Sequence, residues 1–268
     1  MKSTFVMIQA EPAAAPAENL ARARELVCEA VNRYHPDLIM FPETFMSSFP
    51  SGSSIAERNA VAEACDGPFC RGMQEIAREH GVWLVFGMKE RVEDPADHRV
   101  YNTVVMLNAA GDIAASYRKT HLYDAFGYRE SEEFKAGEHL FEPIDTPFGR
   151  LGLFVCYEVR FPEAARYEVG LGAEILLMPT AWYKGEHKSH HFRTLVTARA
   201  IENTVYVLAC DQCGGPAMGE SLAVDPMGET LCRGGAGEEI LSVTVDTERV
   251  REVRKFLPSY RNRRPEVY

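Results

Sequence analysis

The sequence has no excess of positive charge, no apolar run of membrane length, no paired set of cysteines and no long interdomain linker rich in Pro, Gly and Ser. Each absence excludes something. With 29 Lys and Arg against 39 Asp and Glu, the formal charge is −10, and an acidic chain is repelled by phosphate backbones and anionic lipid. No nucleic-acid partner is expected. The most basic stretch (Arg249, Arg251, Arg254, Lys255, Arg261, Arg263, Arg264) is interrupted by Glu248, Glu252 and Glu266, and reads as a solvated helix face and tail. The apolar run in MKSTFVMIQAEP is too short for a signal-peptide core or a membrane span, and no other run reaches that length. No membrane partner is expected either. The 7 cysteines are scattered at 28, 65, 70, 156, 210, 213 and 232. An odd, scattered set argues against a disulfide framework and for a reducing cytoplasm. Without a linker, a chain of 268 residues that is 46% hydrophobic is expected to form one compact domain over 1–268.

What is present alternates between strand and helix patterns. TFVMIQ (4–9) reads as a strand, and 18–34 as a helix with Leu20, Val27, Val31 and Tyr34 on one face. DLIMF (37–41) is a continuous apolar run stopped by Pro42, as in a strand buried on both faces. A helix over 69–80 ends before Gly81, a residue suited to a helix C-terminus. Strands at 82–87, 101–108 and 113–119 follow, the last two forming a hairpin around AAGD. The second half repeats this grammar. RLGLFVC (150–156) is a strand, a helix opens near Pro162, and EILLM (174–178) is a buried strand stopped by Pro179. A helix over 190–203 precedes strands at 204–210 and 239–246, with DPMGE as the turn of a second hairpin. The shared strand-then-Pro endings of DLIMFPE and EILLMPT suggest an internal duplication. The whole pattern implies an α/β domain with helices covering mostly buried sheets.

Three polar side chains sit where apolar strands end: Glu43, Lys119 and Cys156. Strand ends on one edge of an α/β sheet are where pockets form, so the three can converge. Their chemistry is coherent. A thiol with a pKa of about 8.5 is mostly protonated at neutral pH; a nearby carboxylate can take its proton during attack, and an ammonium can stabilise the resulting oxyanion.

FPET around Glu43, YRKTHLYD around Lys119 and GLFVCYEVRFPE around Cys156 resemble the signature blocks of the nitrilase superfamily of carbon–nitrogen hydrolases. YNT (101–103), TARAIENTVYVLACDQCG (197–214), DPMGE and the closing RRPEVY extend the resemblance over essentially the whole chain. It implies a four-layer αββα sandwich with internal pseudo-two-fold symmetry. It further implies Glu43 as general base, Lys119 as oxyanion stabiliser, Cys156 as the nucleophile that forms a thioester, and the Tyr157 backbone N–H as second oxyanion donor. A second glutamate that orients the lysine falls at Glu130, with Glu132 and Glu133 as close competitors. The family uses no metal, and no cofactor is expected. CYE-x-RFPE, MPTAW and RRPEVY look most like the small amidases, ω-amidases and the deaminated-glutathione type included, which makes a small amide the expected substrate. N-carbamoyl amide hydrolase is the alternative, then nitrilase or a non-catalytic scaffold on the same fold. A homodimer or higher homo-oligomer is expected, with the tail over about 257–268 at the interface.

Several residues admit plainer readings. Cys210 and Cys213 form a lone C-x-x-C and are expected to be buried small residues. Cys28 and Cys70 read as packing residues. His187, His190 and His191 have spacing that could hold a metal, but a solvated helix start is the better reading. His121 suits a supporting hydrogen bond. Thr180, Ala181 and Trp182 follow a Pro-stopped strand on the pocket side, where Trp182 either walls the substrate site or packs. Glu158 is awkward, because a carboxylate beside a thiol hinders its ionisation. A bend at Tyr157 is expected to turn Glu158 toward Arg160 or another structural partner.

Overall fold

Alternating side chains along the first strand set the layers, because successive residues of a strand face opposite ways. Phe5 and Met7 share a core with Leu151, Leu153, Leu177 and Leu208, whereas Val6 and Ile8 pack with Val27, Ala30, Met73 and Ile76 of two helices. Each such buried side chain contributes about 1.5–3 kcal/mol of transfer free energy. A sheet apolar on both faces must be covered on both, and the result is helix, sheet, sheet, helix.

The computed structural model describes residues 2–267. Its strands are β1 (Lys2–Gln9), β2 (Leu38–Met40), β3 (Trp83–Arg91), β4 (Val100–Leu107), β5 (Ile113–Arg118), β6 (Asp124–Ala125), β7 (Tyr128–Arg129), β8 (Ile144–Thr146), β9 (Gly149–Leu153), β10 (Ile175–Thr180), β11 (Tyr206–Asp211), β12 (Leu222–Val224), β13 (Thr230–Arg233) and β14 (Glu239–Asp246). Its helices are α1 (Pro16–Tyr34), α2 (Ile55–Asn59), α3 (Pro68–His80), α4 (Pro162–Gly170), α5 (Lys188–Asn203) and α6 (Thr247–Phe256). One sheet runs β14-β1-β2-β3-β4-β5 and the other, read from its β8 edge, β8-β9-β10-β11-β12-β13. Pairing sense matches step for step: antiparallel, parallel, parallel, antiparallel, antiparallel in each. Helices match too, since α1 and α4 follow β1 and β9, while α3 and α5 precede β3 and β11. The duplication read from two Pro-stopped strands therefore extends to the whole topology.

Among the boundaries that differ from the sequence reading, three lie near the strand ends that matter for the site. The strand expected to reach Cys156 stops at Leu153, and Cys156 opens a 3-10 turn, Cys156–Arg160. β10 continues through Pro179 to Thr180. It pairs with β9 only at Ile175–Leu177, so Pro179 lies past that ladder, and its missing N–H costs nothing there. Helix α5 starts at Lys188, two residues early, after His187 in the left-handed region (φ 60°). No helix among the described residues is long and apolar enough to cross a membrane. All seven cysteines are free; Cys28 is exposed rather than packed, whereas Cys70, Cys210 and Cys213 are buried. The Cys210 thiol lies 3.3 Å from both the Ile8 and Met40 carbonyls, joining the two sheets.

Candidate active site

Four segments bring polar side chains to one end of the sandwich. Glu43 follows β2 in a tight turn in which Thr44 takes φ 47°. Strand β3 passes so close that a Cβ on Gly87 would lie 2.2 Å from the Thr44 nitrogen, so this position requires glycine. Lys119 follows β5, with its N–H on the Asn102 carbonyl at 2.9 Å and its own carbonyl accepting from Gly137 at 2.9 Å. Glu130 sits in a 3-10 turn after the β6–β7 hairpin. Cys156, beyond β9, takes φ 49°, a conformation costing a residue with a side chain roughly 1–2 kcal/mol.

Glu43, Lys119, Glu130 and Cys156 are all buried. Lys119 Nζ donates to Glu43 Oε1 at 2.9 Å and to Glu130 Oε2 at 2.8 Å. Asn102 Nδ2 bridges the same carboxylates, 2.7 Å from Glu43 and 3.1 Å from Glu130. The Ala181 N–H donates to Glu43 Oε2 at 2.8 Å, and the Tyr123 N–H to Glu130 Oε2 at 2.5 Å. Of the competing glutamates, Glu133 pairs with Lys89 at 2.6 Å and Arg58 at 2.8 Å, and Glu132 lies near Arg129 in solvent. Glu130 is the one that meets the lysine.

Two carboxylates share one ammonium here, and the charges follow from that count. Burial pulls Lys119 down, but Glu130 and then Glu43 outweigh it and hold the ammonium well above the usual lysine range. Burial lifts Glu130 against the pull of Lys119, with Glu43 adding repulsion. Burial likewise lifts the Cys156 thiol well above its ordinary range; Glu43 adds to the rise, and Lys119 and Thr180 oppose it. Burial therefore favours the thiol over the thiolate.

Glu158 bends away from the thiol, though not toward Arg160. Its buried carboxylate accepts from the Val155 N–H at 2.7 Å, the Tyr117 hydroxyl at 2.7 Å, the Thr120 hydroxyl at 2.7 Å and the N–H groups of Thr120 and His121 at 3.0 and 3.1 Å. Burial opposes its charge, but the His121 ring, whose Nδ1 lies 3.3 Å from Oε1, and then the Thr120 and Tyr117 hydroxyls and the Val155 N–H prevail and hold it below the usual glutamate range. His121 makes the supporting contact its position suggested, with Nδ1 on the Thr120 hydroxyl at 2.9 Å and the ring stacked on Phe161.

Thr180 is fully buried, and Ala181 holds Glu43 through its backbone. The Trp182 N–H donates to Asp211 Oδ1 at 2.7 Å, and its ring both packs on Phe192 and faces Arg160 at 5.0 Å and Lys188 at 5.5 Å. Sequence reasoning missed Lys188. It is 6% exposed, donates to the Tyr123 hydroxyl at 2.8 Å and lies 4.0 Å from the Phe126 ring centroid. Among the described residues no carboxylate pairs with it, and Nε and Nη2 of neighbouring Arg160 are buried without a partner. Asn102 was also missed as a site residue, although YNT marked its segment. His187 and His190 stand in solvent at the start of α5.

Fold and site together define a nitrilase-type αββα hydrolase. The chain belongs to the carbon–nitrogen hydrolase family, which matches residues 6–255. It is 36% identical over 263 residues to the deaminated glutathione amidase of Mus musculus, covering 94% of this chain and 80% of that one. The C. elegans NitFhit protein superposes with a TM-score of 0.89 at 29% identity, covering 100% of this chain and 66% of that chain. A variant of the amidase from Nesterenkonia sp. AN1, carrying the acetamide moiety of fluoroacetamide on its active-site cysteine, superposes with a TM-score of 0.80 at 25% identity, covering 99% and 95%. The protein is a hydrolase of carbon–nitrogen bonds other than peptide bonds, with amidases among its relatives.

Proposed function

We propose that the protein is a thiol amidohydrolase that cleaves a small carboxylic amide to acid and ammonia through a thioester on Cys156. The observation that carries this reading is the buried Lys119 ammonium bound by Glu43 and Glu130 beside a thiol that burial keeps protonated. Glu43 Oε2 holds only the Ala181 N–H, which leaves an oxygen to take the thiol proton. Cys156 Sγ attacks the amide carbon, and Lys119 Nζ with the Tyr157 N–H stabilises the oxyanion. Glu43 returns the proton to the leaving ammonia, then takes one from the water that hydrolyses the thioester. Glu130 and Asn102 keep Lys119 and Glu43 in register.

Lys188 and Arg160, two neighbouring cations without a counter-anion, supply the substrate end of this reading. Burying an unpaired charge is costly, and the cost is offset when the acyl group brings a carboxylate of its own. Trp182, Tyr123 and Phe126 wall the same space. Such an acid amide fits the deaminated glutathione amidase relatives. An ammonia-release panel of neutral amides, carboxylate-bearing amides and N-carbamoyl compounds, with Cys156→Ala as control, tests the proposal. Carboxylate-bearing amides are expected to release ammonia and leave the acid, whereas ammonia and carbon dioxide released from the N-carbamoyl compounds alone would assign an N-carbamoyl amide hydrolase. If neither gas appears and hydroxylamine traps no acyl group, the chain is a scaffold on a hydrolase fold.

The same proposal includes a homodimer in a reducing cytoplasm, consistent with seven free thiols. Tyr167 and Leu171 at α4, Ile201 on α5, Phe256 on α6 and Val267 in the tail expose apolar surface that a second copy can cover. Of the proposed tail interface, Tyr268 lies outside the described residues. Sedimentation velocity is expected to give twice the chain mass, and a monomer at micromolar concentration contradicts the pairing.

A further inference from the structure

We propose that Glu158 is a positioning residue, whose carboxylate fixes the Lys119 ammonium relative to the Cys156 thiol. This rests on the thiol hydrolase reading of the site. One oxygen, Oε1, grips both flanks of Lys119: the Tyr117 hydroxyl two residues before it at 2.7 Å, and the Thr120 and His121 N–H groups directly after it at 3.0 and 3.1 Å. The other, Oε2, accepts from the N–H of Val155, the residue before the nucleophile, at 2.7 Å. A single carboxylate thus joins the Lys119 segment of one sheet to the turn presenting Cys156 from the other. The two segments lie 38 residues apart in sequence.

This geometry demands an acceptor at both ends. A carboxylate offers two oxygens, and charge-assisted bonds to them are the strong kind. Glutamine has the same shape but turns one acceptor into an NH2 donor. That NH2 must face either the Val155 N–H or the N–H pair of Thr120 and His121, donor against donor, so one arm of the tie is lost. Lys119 is the cation that opposes the rise of the Cys156 thiol caused by burial and Glu43. A looser Lys119 both weakens oxyanion stabilisation and leaves the thiol harder to ionise.

The test compares the parent with Glu158→Gln and Thr120→Val, reading amide turnover and the pH dependence of Cys156 alkylation by iodoacetamide, followed by mass on the Cys156 peptide. Glu158→Gln is expected to lower kcat by at least about tenfold, part of the roughly 10²–10³ carried by one oxyanion donor, with little change in KM. Its alkylation profile is expected to move to higher pH. Thr120→Val, which removes one hydroxyl arm at 2.7 Å, is expected to move the profile the same way by less, and it carries the test if Glu158→Gln does not fold. A folded Glu158→Gln with the parent kcat and profile overturns the proposal. So does a variant that loses thermal stability while its alkylation profile stays in place, since a merely structural tie would do that. Alkylation needs no amide, so it judges Glu158 even where the amide panel fails.

Discussion

At the scale of single residues, Lys119 shows why the site keeps an odd number of charges. Two buried carboxylates hold it; burial, with added repulsion from Glu43, raises both Glu130 and the Cys156 thiol, and Lys119 opposes both rises. Replacing Lys119 with alanine removes the proposed oxyanion donor and leaves Glu43 and Glu130 to share a proton, as close carboxylates do. Turnover is expected to fall by at least about 100-fold while circular dichroism and the melting transition remain cooperative; turnover near the parent's contradicts the assigned role. The meeting of Glu43 and Lys119, with Cys156 in the same site, was legible because each sits past a strand end within a signature block, FPET, YRKTHLYD or GLFVCYEVRFPE, a local pattern. Asn102 was not: its contact with Glu43 spans 59 residues, and an asparagine inside a strand carries no mark of it. Glu158 was legible in part: it turns to structural partners, as expected, but to ones other than Arg160, because the donors that hold the carboxylate arrive mostly from the end of β5.

At the scale of elements, strand ends position the chemistry, and close backbone approach decides which residues are tolerated. Gly87 of β3 lies against the Glu43–Thr44 turn, so Gly87→Ala pushes a methyl group into the backbone carrying the proposed base. We expect Gly87→Ala to lose amide turnover by more than it loses thermal stability; parent-like turnover contradicts the close approach. Helix α4 reaches β9 through Glu168, whose Oε2 accepts from the Leu153 N–H at 2.6 Å. Burial raises this carboxyl well above the glutamate reference of 4.5. A group that is neutral when folded but ionised when unfolded contributes fully below about 4.5, and that contribution is lost as pH rises toward the folded value. Thermal melts from pH 4 upward should show the parent losing stability relative to Glu168→Gln, which keeps the acceptor and cannot ionise. Parallel curves contradict a neutral Glu168. Pro179 illustrates the limit of local reading here: proline stops a strand only where a ladder needs its N–H, and β9 has already ended beside it.

At the scale of the whole molecule, the active site belongs to neither half alone. The first sheet's half supplies Glu43, Lys119 and Glu130; the second supplies Cys156 and the Thr180–Trp182 segment that holds Glu43 through the Ala181 N–H. The duplication was legible in strand grammar, since repeated elements need the same hydrophobic pattern, but the matching pairing order emerges only when both sheets are built. The meeting of Lys188 with Arg160 was illegible because one opens α5 and the other closes the Cys156–Arg160 turn, and the two come together over the Trp182 ring rather than through spacing. The central claim is that Cys156 carries the acyl group. Rapid quench of the enzyme with a small carboxylate-bearing amide, followed by mass spectrometry of the Cys156 peptide, tests it most directly. The expected result is an acyl adduct on Cys156 that hydroxylamine removes as the hydroxamate, with no ammonia released by Cys156→Ala. Ammonia release by Cys156→Ala at the parent's rate, or turnover with no acyl group trapped on the thiol, would contradict it.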